Sequence, residues 1–86
     1  MQVEMRPIND LIPFEKNPRK NQKVGKIAQS IKEYGFTQPI VVDENDVVII
    51  GHTRLMASKE LGLKKVPVLK QKLTDEQTKA LRIADN

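Results

Sequence analysis

Four apolar residues, Val47-Val48-Ile49-Ile50, stop at Gly51, and a helical pattern opens directly behind them at His52-Thr53-Arg54 and closes at Gly62. A strand that turns into a helix without an intervening loop leaves few arrangements open. The helix must begin at the end of the sheet, with its first-turn N–H groups and positive dipole end facing the turn. Such a turn suits an anion, more so where glycine removes the Cβ that would block close approach. Arg54, in the first helical turn, adds a permanent charge on a planar fork that matches phosphate oxygens. This stretch predicts a phosphate-binding turn built from Gly51, His52, Thr53 and Arg54.

The flanking pattern predicts further strands and helices around it. Residues 2–6 alternate, with Val3 and Met5 on one face, and read as a short strand ended by Pro7. Residues 8–21 form a long connection with Pro13 and Pro18, and with room for one helical turn near residues 9–11. Connections of this length are more often functional than not. Asn21 can cap a helix over residues 22–34, where Val24, Ile27, Ala28 and Ile31 repeat as a core-facing stripe and Gly35 supplies a left-handed stop. Ile40-Val41-Val42 and Val47-Val48-Ile49-Ile50, joined by the polar turn Asp43-Glu44-Asn45-Asp46, read as a hairpin. A helix over residues 53–61 follows, then a strand at residues 66–69, in which Pro67 indicates an edge position or a donor turned away from the ladder. The unit from Val47 to Leu69 is expected to be a right-handed parallel crossover. Thr74 and Gln77 form a capping box for a last helix carrying Ala80, Leu81 and Ile83. That helix meets no glycine or proline stop before Asn86, and the chain reads as an N-terminal domain excised from something longer.

Eighty-six residues, 38% of them apolar, suffice for one core of modest size. The lack of cysteine excludes disulfides, thiolate zinc sites and thiol chemistry within this chain. No apolar run nears the roughly 18 residues of a membrane helix, and Met1-Gln2-Val3-Glu4 is unlike a signal peptide, so a cytoplasmic location and no membrane partner are expected. The formal charge of +4 is concentrated in residues 15–26, where Lys16, Arg19, Lys20, Lys23 and Lys26 face one acid, Glu15. Such a patch suits a polyanion, nucleic acid or nucleotide; the plainer reading is a solvated loop and helix face.

Two further pieces bear on a ligand. Asn17-Pro18-Arg19 projects Arg19 from a constrained turn, and Thr37-Gln38-Pro39 places two polar side chains at a strand entry. His52 is the single histidine and cannot by itself build a metal site or a catalytic triad. It reads first as part of the helix cap and second as a phosphate or base contact. Asp43, Glu44 and Asp46 in one tight turn read as solvated acids, with no second acidic cluster to complete a metal site. Two phenylalanines and one tyrosine give no recurring stacking platform for nucleic acid. No helix-turn-helix reader stands out either.

In their order these segments resemble the N-terminal domain of the ParB family, whose fold is shared with sulfiredoxin. The resemblance runs through Ile12-Pro13, Asn17-Pro18-Arg19, Ile27-Ala28-Gln29-Ser30-Ile31, Tyr34-Gly35, Gln38-Pro39-Ile40-Val41-Val42, Ile50-Gly51-His52-Thr53-Arg54-Leu55-Met56-Ala57-Ser58 and Val66-Pro67-Val68. It implies a nucleotide-phosphate role for the Gly51–Arg54 box, with CTP the ligand of the chromosome-partition members. The family box is usually Gly-Glu-Arg-Arg; here His52 and Thr53 replace the glutamate and first arginine, which weakens the case for CTP hydrolysis. The nucleotide-contacting strand entry maps onto Thr37, Gln38 and Pro39, and a third, Glu-Asn-type motif maps onto Ala84-Asp85-Asn86. Sulfiredoxin chemistry requires a cysteine that this chain lacks. The His-Thr-Arg variant and the Ala-Leu-Arg-Ile-Ala-Asp-Asn ending look most like ParB-type domains of phage and mobile-element proteins, often joined to DNA methyltransferases.

The expectation is therefore an α+β, ParB/sulfiredoxin-like fold with a small mixed four-stranded sheet and about three helices. The expected function is a nucleotide- or DNA-phosphate-binding regulatory domain of a DNA-associated, nucleoid-located protein. Phosphate-binding candidates are Arg19, Thr37, Gln38, Gly51, His52, Thr53 and Arg54; DNA-contacting candidates are Lys16, Arg19, Lys20, Lys23 and Lys26. The implied cofactor is a nucleoside triphosphate, CTP foremost, with Mg as a possible companion, and no protein-held metal. Alternatives are a ParB-like nuclease, an NTPase, or the DNA-binding N-terminal module of a phage-type methyltransferase. Expected partners are nucleotide, DNA, a downstream DNA-binding or methyltransferase domain, and a second copy in a full-length homodimer.

Overall fold

Hydrophobic patterning and turn chemistry place the elements close to where the sequence predicts them. A computed structural model describes residues 3–14 and 24–85. In chain order these form β1 (Val3–Pro7), a 3-10 turn at Ile8–Asp10, α1 (Val24–Tyr34), β2 (Ile40–Val42), β3 (Val48–Ile50), α2 (His52–Glu60), β4 (Lys65–Lys70) and α3 (Asp75–Asp85). Gly35 and Gly62 stop α1 and α2 with φ of 74° and 72°. The capping box is present: Thr74 N–H donates to Gln77 Oε1 at 3.0 Å, and Gln77 N–H donates to Thr74 Oγ1 at 3.1 Å. The expected Asn21 cap and the first two residues of the predicted α1 lie outside the described residues.

The strands form one mixed sheet in the order β1-β4-β2-β3. β1 is antiparallel to β4, β4 is parallel to β2, and β2–β3 is the expected antiparallel hairpin. The fold is α+β, a four-stranded mixed sheet with three helices. One expectation fails: β3 and β4 are not a parallel crossover pair. Two adjacent β-branched strands joined by a four-residue turn pair with each other first, which reverses β3. The parallel partner of β4 is then β2, and β3 and α2 together make the connection between them.

The ladder also settles Pro67, which lies in a central strand rather than at an edge. Ile8 N–H donates to Lys64 O and Gln71 N–H donates to Val42 O, each at 2.9 Å. Backbone groups alternate between the two sides of a strand. With Arg6 opposite Val66 and Met5 opposite Pro67, Glu4 and Arg6 turn their backbones toward β4, while Val3, Met5 and Pro7 turn theirs outward. Pro67 points its missing donor toward β2, one step before the β2 register begins at Ile40 opposite Val68. The donor is turned away from the β1 ladder, where it would be missed.

The core lies on one face of the sheet. Ile40, Val42, Val48, Val66 and Val68 pack there with Leu55 of α2 and with Ile8 and Leu11. Each fully buried side chain of this size contributes roughly 1.5–3 kcal/mol. Val24 and Ala28 of α1 meet Ala57 of α2 in a second apolar cluster, so α1 covers α2. Val3 and Met5, alike in direction as predicted, face solvent on the other side of the sheet.

The acids of the hairpin turn are not simply solvated. Asp43 Oδ1 accepts N–H bonds from Asn45 at 2.8 Å and Val47 at 3.0 Å, holding the turn. Asp46, in the left-handed region at φ 66°, sets Oδ2 3.1 Å from Arg6 Nη2 and Oδ1 3.2 Å from Lys70 Nζ. Glu44 stands 3.7 Å from Lys72. The Arg6 hydrogen bond, foremost, holds the Asp46 carboxyl below its ordinary pKa against the opposing cost of burial. A carboxylate with a depressed folded pKa stabilises the fold above its unfolded pKa, and the effect is lost as pH falls through the folded value. Asn tolerates the same left-handed backbone. Asp46→Asn is therefore expected to cost about 1 kcal/mol in urea unfolding at pH 7. The two proteins should converge in stability as pH falls through the depressed folded-state pKa of Asp46.

Candidate functional site

The turn between β3 and α2 is made by backbone and packing together. Gly51 adopts φ 99° and ψ 27°, a left-handed conformation that L side chains rarely take. A Cβ there would also stand 3.4 Å from both Cα and Cγ1 of Ile40. The positive φ is what calls for glycine here, with Ile40 of β2 at the near edge of van der Waals contact. Leu55 N–H donates to Gly51 O at 2.9 Å, closing the first turn of α2.

Six of the seven predicted phosphate contacts, all but Arg19, lie among the described residues. His52 and Thr53 are buried, at 6% and 8% exposure, so their side chains belong to the interior rather than to an open cleft. His52 Nε2 accepts the Phe14 N–H at 3.3 Å, which puts the proton of a neutral ring on Nδ1. Arg54 is half-buried, and its Nη2 donates to Gln38 Oε1 at 3.0 Å. Its carbonyl accepts the Ser58 hydroxyl at 2.7 Å one turn further along. Thr37 is exposed next to Gln38 in the connection from α1 to β2, and Lys26 is exposed on α1. Lys16, Arg19, Lys20 and Lys23 lie outside the described residues. The structure therefore unites Gly51–Arg54, Gln38 and Phe14, the residue at which the chain enters its basic segment.

Two participants escaped the sequence reading. The Arg82 guanidinium of α3 stacks over the Phe14 ring, 3.7 Å from its centroid, and donates to Val48 O through Nε at 3.4 Å and Nη2 at 3.3 Å. Burial lowers the Arg82 pKa, yet an arginine stays charged at neutral pH. His52 and Arg82 thus hold Phe14 from two sides, one by its amide and one by its ring. No local signal could reveal a pair separated by most of the chain. Among the described residues no group of three or more His, Asp or Glu could hold a metal ion.

This sequence and this four-stranded fold have counterparts among known proteins. Residues 1–86 match the ParB N-terminal domain. The chain belongs to that family. ParB-like nuclease domain-containing protein YnaK of Escherichia coli (strain K12) is 38% identical over 80 residues, which span 90% of this chain and 92% of that protein. The C-terminally truncated chromosome-partitioning protein ParB of Caulobacter crescentus, solved with CTP-gamma-S, superposes with a TM-score of 0.85 at 26% identity, covering 100% of this chain and 53% of that one. Sulfiredoxin of Arabidopsis thaliana has a TM-score of 0.75 at 23% identity, covering 94% of this chain and 97% of its own, a likeness of fold alone. The chain spans under a third of the full-length chromosome-partitioning relatives it matches. No helix among the described residues is long and apolar enough to cross a membrane.

Within this ParB N-terminal domain the box is under structural constraint. Gly51→Ala is expected to destabilise the fold by about 1–3 kcal/mol, from the forced left-handed backbone and the Ile40 contact, measured by thermal or urea unfolding. His52→Ala should leave the β4 amides protected while Phe14 N–H, deprived of its acceptor, exchanges with deuterium at least severalfold faster by NMR.

Proposed function

We propose that the Gly51 turn forms the phosphate end of a nucleotide site, CTP-like in its ligand, within a regulatory domain of a DNA-associated protein. The observation that carries this is the Arg54–Gln38 contact at the N-terminal end of α2. A guanidinium and a side-chain amide are thereby presented together at the positive end of a helix dipole. The donor set fits a nucleotide: Arg54 is suited to phosphate oxygens, and the amide of Gln38, with the exposed Thr37 hydroxyl, to the sugar or base. Arg19 would add a second cation from the segment that begins at Phe14. The relative from Caulobacter crescentus, solved with CTP-gamma-S, supports a nucleotide as the ligand class. A bound triphosphate would supply its own chelating oxygens for Mg, since the described residues offer no carboxylate cage.

Binding rather than turnover is the reading favoured here. Thr53 stands where the family box usually carries an arginine, and its side chain is buried. The carboxylates a nuclease would need are engaged elsewhere: Asp43 in its turn, and Asp46 and Glu44 in ion pairs. One charge-assisted contact contributes about 1.5–3 kcal/mol, and each 1.4 kcal/mol is tenfold in affinity. Arg54→Ala should therefore weaken CTP binding at least tenfold in titration calorimetry, with the melting temperature nearly unchanged. Equal affinity in the variant would remove Arg54 from the site.

The charge of residues 15–26 favours a second reading, contact with a DNA backbone through Lys16, Arg19, Lys20, Lys23 and Lys26. Such binding would ignore base sequence and fall with salt, log K dropping by about 0.9 per neutralised phosphate for each decade of salt concentration. Anisotropy titrations of two unrelated duplexes at several salt concentrations are expected to give matching curves with a slope of about −4 to −5. No binding even at the lowest salt would eliminate this role. In a longer protein the domain would then sit beside a DNA-binding or methyltransferase domain.

A further inference from the structure

Among the described residues β1 has no strand on its outer edge, and its five residues are self-complementary. We infer that two copies of this chain associate through β1, antiparallel about a twofold axis at Met5, so that the two sheets become one.

Backbone direction is the first support. The ladder parity turns the N–H and C=O groups of Val3 and Met5 away from β4 and out to the edge, while Glu4 and Arg6 spend theirs on β4. An antiparallel partner centred on Met5 would make Met5 opposite Met5 a hydrogen-bonded pair, with Val3 donating to the carbonyl of Pro7 in the other copy. Pro7, which has no donor to offer, then meets an end of the ladder rather than its middle.

Charge is the second support. In that register Glu4 stands opposite Arg6 of the second copy, and by symmetry this happens twice. Opposite charges directly across a ladder stabilise it, and like charges destabilise it. Both ion pairs that Arg6 makes within its own chain run through Nη2. A guanidinium carries five donors, so it can serve Asp46 and a cross-strand carboxylate together. A register displaced by two residues would lose this match.

The apolar side of the strand is the third. Val3 is 55% exposed and Met5 61%, on the sheet face opposite the core. Their neighbours on that face, Pro67 and Leu69, are only partly covered. Pairing at Met5 would set two Met5 and two Val3 side chains in one continuous strip. Natural edge strands are commonly blunted by inward charges, proline or bulges; β1 ends in Pro7 and turns Glu4 and Arg6 to the core face, and the twofold register is the one that neutralises those two charges against each other. A single pair of short strands is small against a stable interface, so the expected dissociation constant is on the order of 0.1–1 mM.

Sedimentation equilibrium of the intact chain tests this. The mass should rise from 9.8 kDa toward twice that value as concentration passes through the dissociation constant. Met5→Lys, which sets like charges face to face on the axis at an exposed position, should weaken association at least tenfold with an unchanged circular dichroism melt. Met5→Cys supplies an independent readout in a chain without cysteine. Hydrogen-bonded antiparallel partners have Cα atoms about 5.5 Å apart, within the span of about 4.4–6.8 Å that a disulfide bridges. It should form a disulfide dimer at least tenfold faster than Tyr34→Cys, a control at an exposed site on α1. A monomer mass throughout the millimolar range, association indifferent to Met5→Lys, or equal oxidation rates for the two cysteine variants would each overturn the inference.

Discussion

The left-handed backbone at Gly51 is the constraint on which the rest of the molecule depends. Because glycine takes φ 99° without strain, β3 can end beside β2 and start α2 in the same step. That fixes where α2 begins, hence which of its residues reach the core: Leu55 drops onto the sheet, Ala57 meets α1, and Arg54 is left at the rim. The phosphate-site proposal and the fold therefore share a cause. The turn buries Gly51, His52 and Thr53 and leaves the Arg54 side chain half-buried at the rim.

Much of this was legible because it is local. The hairpin, the two glycine stops and the Thr74–Gln77 box each follow from residues within a few positions of one another, where periodicity and turn chemistry decide the outcome. What was not legible is what joins distant segments. Nothing in Asp46 announces that it pairs with Arg6 and Lys70, and the same three-acid turn could equally have stood in water. Strand order is non-local in the same sense. The run from Val47 to Leu69 looks like a parallel unit until β2 competes for β3 through a turn of four residues and wins.

The candidate site divides along the same line. Arg54 and Gln38 were both nameable from sequence, one by its place after the glycine and one by its place before Pro39, and they meet at 3.0 Å. His52 and Thr53, nameable by the same logic, are buried instead. The distinction is geometric: residues on successive positions of a first helical turn point some 100° apart, so a box of four cannot present every side chain to one ligand. Two of its members face the interior and support the turn, while the next one along reaches out.

Phe14 joins the start of α2 to the last helix of the domain. Its amide is held by His52 at the start of α2, and its ring lies under Arg82 of α3, which is itself bonded to the carbonyl of Val48 in β3. A partly desolvated guanidinium is costly to leave without acceptors, so Arg82 has reason to stay where a carbonyl and an aromatic face are both within reach. The chain thus enters its most basic segment from a residue clamped between the helix that carries Arg54 and the helix that closes the domain. His52, Phe14 and Arg82 thus join the start of α2 to α3 through three side chains rather than through the sheet.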